Sequence, residues 1–489
     1  VRGVNMQPTD LGKPNQQFDK AIQFFTDKKH LAEQFIKIQP LYYDVSKMWW
    51  IWNFNLKCWE LCDETDIVNL ISDTSKADTI SSKERTEILE ALKQVGRRNK
   101  PKNSSDRWIQ FKDTIYDLET DKTFPATPEY FITNPIPYNM GETEDTPIMD
   151  KIFTEWVGVE NKNLLYEIIA FCISNKYFIH RLFVLLGAGS NGKSKFLSLI
   201  RKFVGEKNVS STELDTLLNS RFENTKLFKK LVCVMGETNF NTLSRTSLLK
   251  RITGQDLIGF EFKHKLPFDD FNYAKILIST NTLPQTTDKT TGFFRRWSII
   301  DFKNEFGEKL DILSTIPEVE YNNLAKKCIK LLKELMVNNS FTNEGTIEER
   351  TKRYEERSNP ICRFVKEQFE RDINSEFAYW EFKDLFLSFL AENKFRIQND
   401  TEIGRGLVIE GLERYYKNIK KEDGTKTTIR FIRGIKLKND KNNVSNLSNV
   451  GCSTYSLHGE INQETYITHN THITKPKLGD FIPETLDEV

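Results

Sequence analysis

The chain has 489 residues, 38% hydrophobic and 28% charged, and its 70 basic and 69 acidic side chains leave a formal net charge of +1. That length is too great for one core and calls for about three domains. The apolar content excludes a disordered scaffold, and the balanced charge neither demands nor forbids a nucleic-acid partner. No run approaches about 18 uninterrupted apolar residues and no basic-then-apolar leader opens the chain, which predicts a cytoplasmic protein without a membrane partner. Only Cys58 and Cys62 of the seven cysteines are close in sequence. With no second pair nearby, the thiols read as reduced and mostly buried rather than as a metal site.

Residues 1–145 form a first region, mainly helical, with an aromatic run from Leu41 to Trp52 that a turn at Ser46-Lys47 folds into a hairpin. Its tryptophans read as core, with base stacking as the alternative. From Ser81 to Arg98 the spacing of Ile88, Leu89, Leu92 and Val95 is helical, and a basic stretch follows from Arg97 to Lys102. That stretch reads as a solvated loop, or as a phosphate contact. Between Asp113 and Tyr138 short strands alternate with proline turns.

Residues 146–343 alternate helix and strand signals, as a parallel α/β sheet demands. The apolar run Leu182–Leu186 leads directly into Gly187-Ala188-Gly189-Ser190-Asn191-Gly192-Lys193-Ser194, a complete phosphate-loop string. A helix opening near Lys193 carries Phe196, Leu197 and Ile200 on one face. Glycines at 187, 189 and 192 let backbone N–H groups converge on phosphate oxygens, with Ser190 and Asn191 completing the loop. Lys193 then reaches the outer phosphates of ATP and the Ser194 hydroxyl holds Mg²⁺.

A second buried strand, Leu231–Met235, ends at Gly236-Glu237, and is expected beside the phosphate loop, where Glu237 orients the attacking water and supports Mg²⁺. From Phe260 to Phe268 apolar flanks surround Lys263, His264 and Lys265, the pattern of a hairpin with a basic tip. A third strand, Lys275–Thr280, terminates at Asn281, whose amide suits both a γ-phosphate and a water. The turn Gly292-Phe293-Phe294-Arg295-Arg296-Trp297 sets two guanidiniums before the apolar strand Ser298–Phe302. Arginine suits stabilisation of a transferring phosphoryl group, and its supply to a neighbour's nucleotide requires a ring. Either Arg295 or Arg296 is the finger, the other stabilising the turn.

Residues 344–438 begin with a charged helix, Glu344 to Arg357, followed by helical patterns over 362–369, 379–390 and 402–412 and a hairpin over 415–437. Three helices and a hairpin describe a winged helix, a helix-turn-helix variant. Lys417, Lys420, Lys421, Lys426, Arg430, Arg433, Lys436 and Lys438 fall in the wing, for nucleic-acid contact or plain solubility. Residues 439–489 turn polar, with seven acidic and three basic side chains, and predict a weakly ordered tail.

Spacing unites these parts: Lys193 to Glu237 is 44 residues, Glu237 to Asn281 another 44, and Arg296 follows 15 later. In this order and density the motifs resemble helicase superfamily 3 of the AAA+ class, in the branch of poxvirus nucleoside triphosphatases and phage or plasmid primase-helicases. Gly189–Ser194, the segment Lys250–Asp256 and Phe294–Trp297 carry that resemblance, together with the upstream strand-and-proline segment from Asp113 to Tyr138. One departure is that Gly236 stands where many such ATPases carry a second acid beside Glu237.

The resemblance implies an α/β fold: an AAA+ type phosphate-loop ATPase domain after a mainly helical associated domain. It also implies a homo-hexameric ring that hydrolyses ATP with Mg²⁺ to translocate on single-stranded DNA and unwind forks. Lys263, His264 and Lys265 are then the DNA-gripping residues of the central channel; without it, the same tip is a solvated turn. Two further readings stand: a replicon initiator whose ATPase serves assembly, and a small-molecule phosphotransferase. The chain begins at Val1, so a primase or polymerase domain upstream, or as a partner, is also open.

Overall fold

A computed structural model describes residues 28–75, 81–187, 190–236, 243, 245–263, 265–281, 283–284, 286, 288–307, 311–392, 397–420 and 426–438. The polar tail over 439–489 lies outside the described residues.

The first region packs helices Lys28–Ile38, Glu64–Ser75 and Ser82–Arg98 around a three-stranded antiparallel sheet of Leu41–Tyr43, Trp49–Asn53 and Cys58–Cys62. The sequence predicts one hairpin here and the structure holds two. Asp44 closes the first turn, accepting from the Met48 N–H at 2.9 Å and from Trp50 Nε1 at 2.8 Å. Asn53 closes the second, its side-chain oxygen accepting from the N–H groups of Asn55 and Leu56. Helix Ser82–Arg98 starts where Ser81 and Glu84 form a reciprocal capping box. It also contains Arg97 and Arg98, which are therefore helical rather than loop residues; Arg97 lies over the Tyr43 ring.

Successive side chains on a strand face opposite ways, and Trp49–Asn53 uses both faces. Trp49 and Ile51 join Leu31, Phe35 and Leu92 in one core, whereas Trp50 and Trp52 join Leu182, Val184 and Ile276 in another. Trp49, Trp50, Trp52 and Trp59 are all 3% exposed or less, so their role is packing and they do not stack bases. The strand-and-proline segment behaves similarly, since Ile109, Phe111, Leu118 and Ile136 share a core with helices Pro147–Val157, Lys162–Cys172 and Glu318–Asn338. The expected boundary at residue 145 thus runs through two shared cores.

The central sheet has five strands, all parallel, in the order Val209–Ser211, Val232–Met235, Lys275–Thr280, Leu182–Leu186, Trp297–Asp301. Each of its three inner strands is buried at every position, as sheets covered on both faces require. One expectation is corrected: Val232–Met235 does not lie beside the phosphate-loop strand, because Lys275–Thr280 is inserted between them. Uniformly apolar strands carry no signal of neighbour order. Parallel pairing still brings Leu186, Met235, Thr280 and Asp301 to one edge, where open α/β sheets bind ligands.

Helix Ile347–Ser358 caps this body, with Tyr354 buried against Phe293, Phe294 and Trp297. Arg353 and Arg357 both donate to Asp301 Oδ2, at 2.9 and 3.0 Å. Burial pushes the Asp301 carboxyl up, but the two guanidiniums hold it below the usual carboxylate range.

A separate core, from Ile361 to Ile435, belongs to the last unit. It runs helix Pro360–Gln368, strand Phe369–Ala378, helices Tyr379–Glu392 and Asp400–Ile409, and strands Glu413–Lys420 and Lys426–Leu437. The three strands form one antiparallel sheet with Lys426–Leu437 in the centre. Strand Phe369–Ala378 is absent from the sequence reading, because it is a largely exposed edge with a register shift between Arg371 and Glu376.

Candidate active site and basic hairpin

The phosphate-loop string is folded as its residue types dictate. Gly187 continues the Leu182–Leu186 strand, Ser190 has φ +43°, and Gly192 has φ +92° at the entry to helix Lys193–Val204. Both glycines are also required by space. A Cβ on Gly187 would stand 1.9 Å from Asn191 Nδ2, and one on Gly192 would stand 2.5 Å from Trp156 Nε1. Trp156 is a supporting residue that the sequence reading misses, for nothing in its helix spacing separates it from ordinary core.

Gly192, the residue before helix Lys193–Val204, brings no capping side chain, and the first-turn N–H groups of the helix stand at the end of the loop. This is the arrangement a phosphate group requires. Lys193 is only 5% exposed, and its ammonium donates to the Gly187 carbonyl at 2.7 Å, Asn191 Oδ1 at 2.9 Å and Asn281 Oδ1 at 3.3 Å. All three acceptors are uncharged, so an anionic phosphate oxygen is a better partner for the same ammonium. Asn191 is itself fixed, donating from Nδ2 to the Phe302 carbonyl at 3.1 Å. Ser194 lies exposed at the second position of the helix. Gly187, Ser190, Asn191, Gly192, Lys193, Ser194 and Asn281 are therefore brought together, whereas Gly189 and Glu237 lie outside the described residues.

The adjacent arginines have different roles. Arg296 is 6% exposed and its Nε donates to Thr253 Oγ1 at 2.9 Å, its Nη2 to the Lys250 carbonyl at 3.1 Å, and its Nη1 to the Gly292 carbonyl. It pins the segment after helix Thr246–Ile252 to the turn before strand Trp297–Asp301 and does not reach outward. Arg295 is exposed at the same turn. The expectation that either arginine could act on a neighbour's nucleotide is corrected for Arg296. Its buried hydrogen bonds are those of a brace.

Asp288, also unforeseen, organises the same corner. Its carboxylate pairs with Lys250 at 2.6 Å and accepts from Thr246 and Thr290. Burial opposes its ionisation, but these three partners hold it far below the usual range. Asp288 followed two residues later by Thr290, the residue before helix Thr291–Phe294, is the readable signal of a side chain closing a turn.

The basic hairpin forms between strands Leu257–Phe260 and Phe268–Phe271, with Phe260 opposite Phe268. Its stem is rigid. Phe228 packs against Phe260, Phe262 and Phe268, Lys229 pairs with Asp270 at 2.9 Å, and Asn224 donates to the Gly259 carbonyl. Lys263 and Lys265 are exposed at the tip, while His264 lies outside the described residues.

In the last unit three of the wing cations face acids. Lys417 pairs with Glu376 and Lys436 with Glu370 at 2.8 and 2.9 Å, and Arg433 lies 3.9 Å from Glu413. Of the others, Lys421 lies outside the described residues.

Burial pushes the Cys172 and Cys233 thiols up, to about 12 and about 11, so these are inert core groups. Among the described residues no helix is long and apolar enough to cross a membrane.

Comparison with known proteins gives three findings. A family described as D5 N terminal like matches residues 31–158, and a family of unknown function, DUF5906, matches residues 185–296. The putative helicase L207/L206 of Acanthamoeba polyphaga mimivirus is 23% identical over 213 residues, 40% of this chain and 22% of that protein. The chain thus spans about a fifth of that relative's length. Among solved structures, the apo C-terminal region of NrS-1 aligns with a TM-score of 0.44 at 14% identity, over 84% of this chain and 100% of that one. Its A form aligns with a TM-score of 0.43 at 12% identity, with the same coverage.

Proposed function

We propose that this chain is the motor part of a replication helicase of superfamily 3, an AAA+ type ATPase that hydrolyses ATP to move on single-stranded DNA and open forks. The observation that carries the reading is the Lys193 ammonium, held between the phosphate loop and Asn281 at the carboxyl edge of a parallel sheet. Similarity to a putative viral helicase and the match to the D5 N terminal like family support the same reading from sequence.

Bound Mg²⁺–ATP supplies the γ-phosphoryl group and neutralises charge during its transfer. The residues that hold it are the loop from Gly187 to Gly192, the ammonium of Lys193 and the hydroxyl of Ser194. Glu237 takes the proton of the attacking water and supports the metal. Asn281 exchanges its bond to Lys193 for one to the outer phosphate or the water. Arg295 reaches the nucleotide of the next subunit in a hexameric ring, while Arg296 keeps the turn that carries it rigid. Lys263, His264 and Lys265 line the channel and follow the phosphates of one strand. The last unit is a winged helix.

The test is turnover and fork unwinding by the wild type and by Lys193→Ala, at a concentration where light scattering reports an oligomer. Loss of both activities in the variant is expected. ATP hydrolysis undiminished in Lys193→Ala would overturn the assignment.

A further inference from the structure

Helix Asp400–Ile409 turns one face to the core and one to solvent. Ile403 and Leu407 are completely buried, and Gly406 sits so close to Ile361 that a Cβ would stand 2.4 Å from Ile361 Cδ1. Thr401, Arg405 and Val408, spaced four and three residues apart, form the exposed face, with Val408 71% exposed. The helix is the next one in the chain after Tyr379–Glu392, and its start is fixed by the Asn399 side chain and a capping box with Glu402.

Two guanidiniums from the adjoining strands border this face. Arg414 lies against Gly404, where a Cβ would stand 2.0 Å from its Nη2, and both Arg414 and Arg430 lie over the Tyr379 ring at 5.5 and 5.2 Å. Arg430 also lies over Tyr416 and donates to its hydroxyl. Stacking of this kind fixes the guanidinium planes and leaves their edges for oxygen acceptors. Together with Arg405 they line an open depression of about 770 Å³, which admits polymer backbone rather than one small ion. Asp400 is the acid on its lining, and Lys383 pairs with it at 2.8 Å. Three other cations of these strands, Lys417, Lys436 and Arg433, face Glu376, Glu370 and Glu413. Arg414 and Arg430, which belong to the same two strands, lie instead beside helix Asp400–Ile409, so positive charge gathers where that helix meets the base of the hairpin.

We propose that this face is a duplex-DNA site: helix Asp400–Ile409 enters the major groove, Arg405 reads base edges between Thr401 and Val408, and Arg414 and Arg430 hold the flanking phosphates. An arginine fork matches guanine edges, and threonine and valine methyls suit thymine methyls. The site goes beyond the motor assigned to the central sheet and does not depend on nucleotide hydrolysis there. A-form RNA closes its major groove to side chains, so an RNA duplex is not a ligand for this face.

The test is fluorescence anisotropy of the full chain over a salt series, with DNA duplexes that the wild type enriches from a randomised pool and with RNA duplexes of the same sequences. DNA is expected to bind more tightly than RNA. Arg405→Ala weakens DNA binding by about ten- to a hundredfold. Arg405→Lys keeps the charge but loses the sequence preference. Arg414→Gln lowers the salt slope by about one, while Lys417→Ala, which removes a cation already held by Glu376, leaves the affinity unchanged. Lys193→Ala, the test of the nucleotide site, leaves duplex binding intact, so the two assignments fail independently. Wild-type DNA affinity in Arg405→Ala, or equal binding of RNA duplexes, would overturn the proposal. Because Arg405 is exposed, its variants retain the fold, which circular dichroism checks.

Discussion

Asn281 Oδ1 accepts a hydrogen bond from the Lys193 ammonium at 3.3 Å, joining two residues that are 88 apart in the chain and that follow adjacent strands of the sheet. The phosphate loop and the tip of the neighbouring strand are thereby one unit. If Asn281 senses the outer phosphate, Asn281→Ala lowers the rate of ATP hydrolysis on the order of a hundredfold and leaves nucleotide affinity nearly unchanged. Single-turnover hydrolysis alongside equilibrium binding separates the two. An equal loss of binding and rate would make Asn281 a ground-state contact instead.

The two arginines of the turn are expected to fail in different ways. Arg296→Ala leaves the Thr253 hydroxyl and the Lys250 carbonyl without their donor, and should cost about 2–4 kcal/mol in denaturant unfolding. Arg295→Ala should leave stability unchanged and lower turnover about a thousandfold, with activity restored in mixed assemblies that contain subunits carrying Arg295 but lacking a functional Lys193. Full activity of an isolated monomer would remove the trans role of Arg295.

On the proposed function, replacing both Lys263 and Lys265 by alanine removes two phosphate contacts per subunit. The slope of log affinity against log salt on single-stranded DNA should then fall by roughly 1.4 per bound subunit, and DNA should no longer stimulate hydrolysis. Stimulation that survives the double change would return the hairpin tip to the status of a solvated turn.

Lys275 gives a pH-dependent prediction. It is fully buried at the start of the central strand, donates to the Ser174 carbonyl, and lies over the rings of Phe171 and Tyr177. Burial lowers its ammonium to about 7 from 10.5. Below the folded value both folded and unfolded chains bind the proton, and the cost of burying the charge is present in full. Between the two values only the unfolded chain binds it, so the cost shrinks as pH rises. Lys275→Met should therefore raise the melting temperature more at pH 6 than at pH 9. An equal change at both values would mean that the folded chain keeps the Lys275 proton throughout that range.

Much of the central fold is legible in the sequence, because a buried parallel strand writes itself as a short apolar run and a phosphate loop as fixed glycines. Leu182–Leu186 and Lys275–Thr280 follow directly from such runs, and Lys193, Asn191 and Asn281 meet as their places at strand ends suggest. Strand order does not follow, since Val232–Met235 is as apolar as its neighbours and nothing in it says which strand it borders. The distinct roles of Arg295 and Arg296 are equally hidden, for they depend on Thr253 and Lys250, more than forty residues earlier. Strand Phe369–Ala378 is missed because an exposed edge needs no apolar alternation. The cation-rich helix face depends on Arg414 and Arg430 from the adjoining strands, which sequence spacing does not reveal.

The division of Trp49 and Trp50 between two cores has a practical meaning for how this protein is cut and recombined. A segment that contributes one tryptophan to its own interior and the next to its neighbour's cannot be exchanged as a cassette. Limited proteolysis should spare residue 145 and its surroundings, and a polypeptide starting there should precipitate, with the hydrophobic seat of Trp50 and Trp52 laid bare. Any lineage that replaced the first region would have had to replace the facing surface of the central sheet with it, so the two halves are expected to have travelled together.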